Sequence, residues 1–299
     1  MFKNIIVYRT TSKFNKESLI ESLKTNQFNS CSSLEMESSG WVPSRQHGEL
    51  VHAVDGRFLM KMMTEKKMLP GSAVKDAVLE RAIQIEHEQG FYPGRKQLKA
   101  IKEIIVDEMI PRAFSVKTAT YVWIDTINDL VFIDASTNTK AENVVRLLLR
   151  SVAGLQLAYL RPTKSPITMM TTWLSLDIEP DSFTIDQDGV LESLGQSGSS
   201  VKYVKHSMDN AGVKQHIESG KQCTSLALTW MDKISFVLTD NLLIKKIRPL
   251  DVLKESNKDT KNDSERFDAE FFMMAFELSL LVTDLMEDLG GKLCDDDEE

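Results

Sequence analysis

Apolar and polar residues alternate in a way that divides the chain into short strands and longer amphipathic helices. Phe2 to Tyr8 reads as a strand. Asn15 is placed to cap a helix whose Leu19, Ile20 and Leu23 share one face. Gly40-Trp41-Val42-Pro43 reads as a turn with an aromatic anchor, and Asp55-Gly56 joins two strand-like runs, Leu50 to Val54 and Arg57 to Met63, as a hairpin. After Leu69-Pro70, a helix beginning at Ser72 would turn Val74, Ala77, Val78, Leu79, Ala82 and Ile83 inward. A Gly90 to Gly94 loop leads into a second helix from Arg95 to about Ile110, with a buried stripe of Leu98, Ile101, Ile105 and Met109; Pro111 ends it.

The second half repeats this grammar. Thr118 to Asp125 and Leu130 to Asp134 form a hairpin, and Thr139-Lys140-Ala141-Glu142 reads as a capping box. Leu155 to Leu160 is strand-like, Met169 to Leu174 a short helix, and Ser193 to Ser200 a loop rich in glycine and serine. Val201 to Lys205 predicts a strand, and Asn210 to Ser219 a helix closed by Gly220. Leu226 to Trp230, Lys233 to Thr239 and Leu242 to Ile247 make a meander, and a long helix runs from about Ser264 to Leu289. Tyr121 to Asp125 and Leu228 to Asp232 echo one another, which either two related sheet modules or chance resemblance of two hairpins would explain. Hairpins outnumber βαβ alternation, so the expected class is α+β with mainly antiparallel sheets and packed helices. Four interleaved regions are expected: a sheet region at 1–70, a helical arm with a basic face at 71–117, a central α+β region at 118–200, and a meander, long helix and acidic tail at 201–299.

Charge modifies this picture more than overall composition does. The net charge of −8 over 299 residues argues against a polyanionic partner, but its distribution reverses that inference. Residues from Glu255 onward carry −11 and the preceding 254 carry +3, with basic excess at Arg57 to Lys117 and at Val201 to Lys254. No apolar run is long enough to span a bilayer, and the N-terminus lacks a cleavable-leader pattern. Three dispersed cysteines, Cys31, Cys223 and Cys294, favour a reducing cytoplasm over a disulfide framework. Five histidines, His47, His52, His87, His206 and His216, show no ligand spacing, so no metal or cofactor is expected.

The phosphate-cradling glycine motifs and the GxSxG elbow are missing from the sequence. Asp186-Gln187-Asp188-Gly189 begins like a calcium loop but lacks its later ligands, and reads as a β-turn. Asp125 and Asp134, at strand ends of one hairpin, could hold a metal for phosphodiester cleavage, although strand-end aspartates commonly form turns. No catalytic residue is expected. Arg95, Lys96, Lys99 and Lys102 lie on one helix, with Arg112 and Lys117 after it and Lys75 and Arg81 on the preceding helix. By charge alone they suit a solvated face or a phosphate contact.

Arg95-Lys96-Gln97-Leu98-Lys99, through Asp107-Glu108 to Pro111-Arg112-Ala113-Phe114-Ser115, resembles the signature of the RdgC recombination-associated family. The resemblance extends from Phe2-Lys3-Asn4 and Tyr8-Arg9 through Gly40 to Pro43, Leu69-Pro70, Trp123 to Asp125, Thr172 to Leu174, Ile217 to Lys221 and Leu226 to Leu228. It closes on Arg266 to Phe271 and Leu289 to Gly291. It implies a horseshoe-like monomer closing into a ring as a homodimer, with duplex DNA in a positively lined hole. DNA occupancy would antagonise the recombinase filament, in the cytoplasm at the nucleoid. The resemblance puts Phe114 at a ring contact and Arg112, Lys75 and Lys221 against phosphates; with the other basic residues and Lys214 these are the candidate DNA contacts. Val116 stands where a basic residue often follows the Pro-Arg-Ala-Phe-Ser string, and the tail Asp295 to Glu299 is unusually acidic. An interaction module using Phe91 and Tyr92 as an aromatic patch is the alternative from another class.

Overall fold

The computed structural model describes residues 2–45, 48–193, 195, 198–255 and 263–293. Its first sheet is built from β1 (Ile6–Thr10), β2 (Glu37–Val42), β3 (His52–Val54), β4 (Arg57–Lys67), β5 (Ser115–Asp125), β6 (Leu130–Ile133) and β7 (Leu157–Tyr159). The order is β2-β4-β5-β6-β1-β7, with β3 on β4, and the paired strands run antiparallel. The second sheet has β8 (Phe183–Ser193), β9 (Ser200–Tyr203), β10 (Lys221–Trp230), β11 (Ile234–Thr239) and β12 (Ile244–Pro249) in the order β12-β11-β10-β8-β9, also antiparallel. The eight helices among the described residues are α1 (Lys16–Lys24), α2 (Gly71–Gln89), α3 (Arg95–Met109), α4 (Asn138–Ser151), α5 (Pro166–Leu176), α6 (Ala211–Glu218), α7 (Asp251–Glu255) and α8 (Asp263–Asp288). The expected α+β class with antiparallel sheets is what the chain adopts.

The layers follow from the alternation of side chains along each strand. In β1 and β5, Ile6, Tyr8, Val122 and Ile124 face α1 and α4, where Leu19, Leu23, Val144, Leu147 and Leu148 complete one core. Ile5, Val7 and Trp123 face the other way, into a core shared with α5, α8 and the inner face of the second sheet. Trp123 stacks on Phe132 at 4.2 Å with rings 3° apart, and Phe2 lies 4.2 Å from Trp123. Helix α8 reaches both sheets: Ser279 Oγ donates to Asp125 Oδ2 at 2.6 Å on one side, and Trp230 Nε1 donates to Asp284 at 2.7 Å on the other. The N-terminal segment crosses as well, since Ile5 and Ile244 exchange backbone hydrogen bonds and Ile247 N donates to Lys3 O.

Several local expectations are corrected. Gly40-Trp41-Val42 is the end of an edge strand rather than a turn, because Trp41 is fully buried and its indole donates to Ser151 on α4. Gly40 is required there by close approach, since a Cβ would sit 2.4 Å from Phe28 Cα. Helix α2 starts at Gly71 behind Pro70, and only Val74 and Ala82 of its apolar set are buried, while Leu79 and Ile83 are exposed. The α4 cap is Thr137, two residues before the predicted box. Asp186 to Gly189 is not a turn: it lies inside the eleven-residue strand β8, where Leu226 pairs with Gly189 and Leu228 with Ile185, so the intervening β8 residues bulge out. Asp55-Gly56 does form the hairpin turn, with φ values of 45° and 71°. The predicted loop at Ser193 to Ser200 falls partly, and the acidic tail, His47 and Cys294 wholly, outside the described residues.

Candidate nucleic-acid interface

Helices α2 and α3 form an antiparallel hairpin inserted between β4 and β5, packing principally on each other. Ile101 and Ile105 of α3 are buried against α2, with Leu98, Val106 and Met109 half-buried beside them, which leaves the outer face of α3 to water. Arg95, Lys99 and Lys102, spaced i, i+4 and i+7, share a stripe about 60° wide, with Lys96 beside it. All four are exposed, as are Lys75, Arg81 and Arg112. Among the described residues, the only carboxylate within 4.0 Å of these seven is Glu103, on Lys99.

The structure does not bring all ten basic candidates together. Lys75 and Arg81 lie six residues apart on α2 and so point in different directions, Arg81 into the cleft between the helices. Lys117, at the root of the arm, lies 3.9 Å from Glu65, donates to Ser30 and sits over the Phe28 ring, so its charge is already matched. Lys214 is on α6 of the second-sheet module, bound to Asp177, and Lys221 opens β10. The arm group belongs with the first sheet, and Lys214 and Lys221 with the second.

Phe114 is 88% exposed at the point where the arm rejoins β5, between the partly exposed Met68 and Val116. Its carbonyl accepts from Met68 N, so the backbone is fixed while the ring meets solvent. The root of the arm is tied down by polar side chains: Ser115 Oγ donates to Glu65, and Lys67 Nζ donates to the carbonyls of Ser32 and Ser33. Phe91 and Tyr92 are exposed at the far end of the arm.

The two aspartates considered for metal binding do not meet. Asp134 accepts from the backbone N–H groups of Lys3 and Asn4 and lies beside Tyr121, four residues along β5 from Asp125. Four residues of strand put them on the order of 13 Å apart, against the roughly 4 Å between metals in a two-metal site. Asp125 is fully buried and its carboxylate is taken by Ser279, Asn128, Ile127 N and, at 3.6 Å, Arg57 Nε. Burial pushes its pKa up, but the Ser279 hydroxyl, the Asn128 amide and the Arg57 charge more than offset this and hold it below the usual range. Phe272 and Phe276 of α8 lie over the Arg57 guanidinium at 5.9 and 5.7 Å, screening the pair from water. No group of three or more metal-ligating side chains occurs among the described residues. No described helix is long and apolar enough to cross a membrane.

Comparison with known proteins places this geometry in context. The sequence profile of the family described as "Putative exonuclease, RdgC" matches residues 1–292. Proteins named "Recombination-associated protein RdgC" are similar over nearly their whole length. That of Janthinobacterium sp. (strain Marseille) is 46% identical over 295 residues, covering 98% of each chain. That of Herminiimonas arsenicoxydans is 45% identical, and that of Bordetella pertussis 44%, each covering 97% of this chain and 98% of the relative.

Proposed function

The chain belongs to the RdgC family, and from that premise we propose that it is a recombination-associated protein that binds double-stranded DNA without sequence selection, as a homodimeric clamp and not as an enzyme. The carrying observation is the exposed stripe of Arg95, Lys99 and Lys102, with Lys96, in which Glu103 on Lys99 is the only carboxylate within 4.0 Å among the described residues. Such a stripe suits phosphates, which fix position on a duplex without reading bases. Phe114 supplies the second requirement, since an 88% exposed aromatic ring on a fixed backbone suits the anchor of a contact with a second copy. A closed pair of copies retaining DNA would obstruct a recombinase filament by occupancy. Nucleoid association in the cytoplasm follows from the same reading.

The deciding experiment is duplex binding across a salt series. With Z phosphates neutralised, log K falls with log salt with a slope of about −0.9Z. Salt-insensitive association, or strong preference for one sequence, overturns the reading. Phe91 and Tyr92, exposed together at the tip of the arm, favour a second reading in which the arm touches the recombinase directly. A pull-down after nuclease treatment separates direct contact from competition on DNA.

A further inference from the structure

The second sheet has one buried face and one open one, and the open face is organised. In β12, Ile244 and Ile247 are both buried although they are three residues apart, which a regular strand does not allow because its side chains alternate. A bulge resolves the parity: Val237 pairs with Lys245 and Ser235 with Arg248, so one extra residue enters β12. Lys246 takes the left-handed conformation, φ 53°, and its N–H is received by Asn4 Oδ1. Lys245 and Arg248 thus face outward together, with Lys246 between them.

The β8 bulge at Asp186 to Asp188 stands across the β10–β11 pair from this bulge. Between them lies a groove of about 360 Å³, floored by Ala227, Ser235 and Val237, with Lys246 and Arg248 on one side and Asp186, Asp188 and Lys205 also lining it. Asp186 accepts from Thr229 Oγ1 and Asp188 from the backbone N–H of Lys205. Neither carboxylate forms an ion pair with the three cations among the described residues, although Lys117, Lys214 and Lys233 do find acidic partners elsewhere. Two bulges and Asn4 therefore hold three cations without an acidic partner among the described residues, over a floor that includes Ala227 and Ser235.

We propose that this groove is a second phosphate-binding surface, in which Lys246 and Arg248 take the phosphodiester backbone of a nucleic acid, while Asp186 and Asp188 confine it to the β12 side. This rests on the DNA-binding reading but concerns residues remote in sequence from the arm. Arg248 can offer two parallel donors to one phosphate, and Lys246 acts as a point charge beside it.

The test uses the full chain and duplex DNA over a salt series, with Lys246→Gln/Arg248→Gln compared with wild type and with Lys13→Gln/Lys24→Gln, a charge-matched control at two lysines paired with Asp129 and Glu21. The groove variant is expected to lose about 1.8 from the salt slope, two phosphates' worth, with an unchanged melting temperature. Asp188→Asn is expected to tighten binding. A groove variant with wild-type slope and affinity, or an equal loss in the control, overturns the proposal while leaving the DNA-binding reading intact. A wild type without salt-dependent DNA binding overturns both.

Discussion

At the scale of single residues, the buried pair of Arg57 and Asp125 is the most demanding feature. A carboxylate without solvent exposure is tolerated because four hydrogen bonds and a guanidinium share its charge. Removing one member leaves the other uncompensated, so Asp125→Ala should cost roughly 3–5 kcal/mol in urea unfolding, and Ser279→Ala about 1–3 kcal/mol. The pKa of Asp125 is lowered by folding, so its contribution is present above the unfolded value and is lost as pH falls through the folded one. The acid limb of the stability curve should therefore be shallower in Asp125→Asn than in wild type. Phe114 makes the opposite case. Its ring is almost wholly exposed in the monomer, so Phe114→Ala should leave unfolding midpoints within about 0.5 kcal/mol while reducing dimerisation in sedimentation. A variant that loses stability but keeps the dimer would contradict the assignment of Phe114 to the contact between copies.

At the scale of elements, the helices and hairpins were legible wherever periodicity and local chemistry agreed. Asn15 caps α1 through Glu17 and Ser18 N–H groups, Asn210 caps α6, and Gly220 sits at φ 90° after it, all as their residue types demand. Strand β8 was hidden because its middle reads Asp-Gln-Asp-Gly, a turn composition; what makes it a strand is the long β10 beside it and Met208 packed where a Cβ on Gly189 would sit at 2.5 Å. Leu79 and Ile83 looked like core because they are apolar at helical spacing, but the arm has only one partner helix to bury against. The positions of the basic arm residues are readable from spacing, whereas the β12 groove is not, since the three-residue spacing of Ile244 and Ile247 breaks the alternation without showing that the β8 bulge lies across from it. Two predictions belong here. Arg95→Gln/Lys99→Gln/Lys102→Gln should lower the salt slope of DNA binding by up to about 2.7 without shifting the melting temperature. The β3 hairpin is tied to α8 where His52 Nε2 lies 2.9 Å from Asp268, which also receives Arg45. Burial and then the Arg45 charge lower the His52 pKa, and Asp268 only partly opposes them. Since the neutral form is favoured in the fold, this stabilisation is present above the unfolded value near 6.5 and is lost as pH falls below it. Hydrogen-exchange protection in β3 and early α8, taken relative to the intrinsic amide rate at each pH, should fall between about pH 7 and pH 5, and His52→Gln should remove that dependence.

At the scale of the whole molecule, two antiparallel sheets share one core around α8, and the helical arm and the open face of the second sheet present cations to solvent. The echoing strings at Tyr121 and Leu228 occupy matching places, each on the strand that returns after a helical excursion and opens a hairpin, although Trp123 faces Phe132 while Trp230 faces Ile234. Asp125 and Asp134 are held apart by separate hydrogen-bond partners and so do not form a joint metal site. Plasmid incubated with the protein and magnesium or manganese should accordingly stay intact; accumulating nicked or linear product would require a different catalytic centre and would end the non-enzymatic reading.

The hydrogen bonds between Ile5 and Ile244 also bear on how the protein is made. Ile5 meets its partner across the sheets only after residue 244 has been translated. At about 5–20 residues per second, that wait is on the order of 10–50 s. Helix α8, which fills the space between the sheets, emerges later still. The shared core is therefore closed only once α8 has emerged, and until then the nascent strands depend on α1, α4 and their own sheet neighbours to keep them from pairing elsewhere.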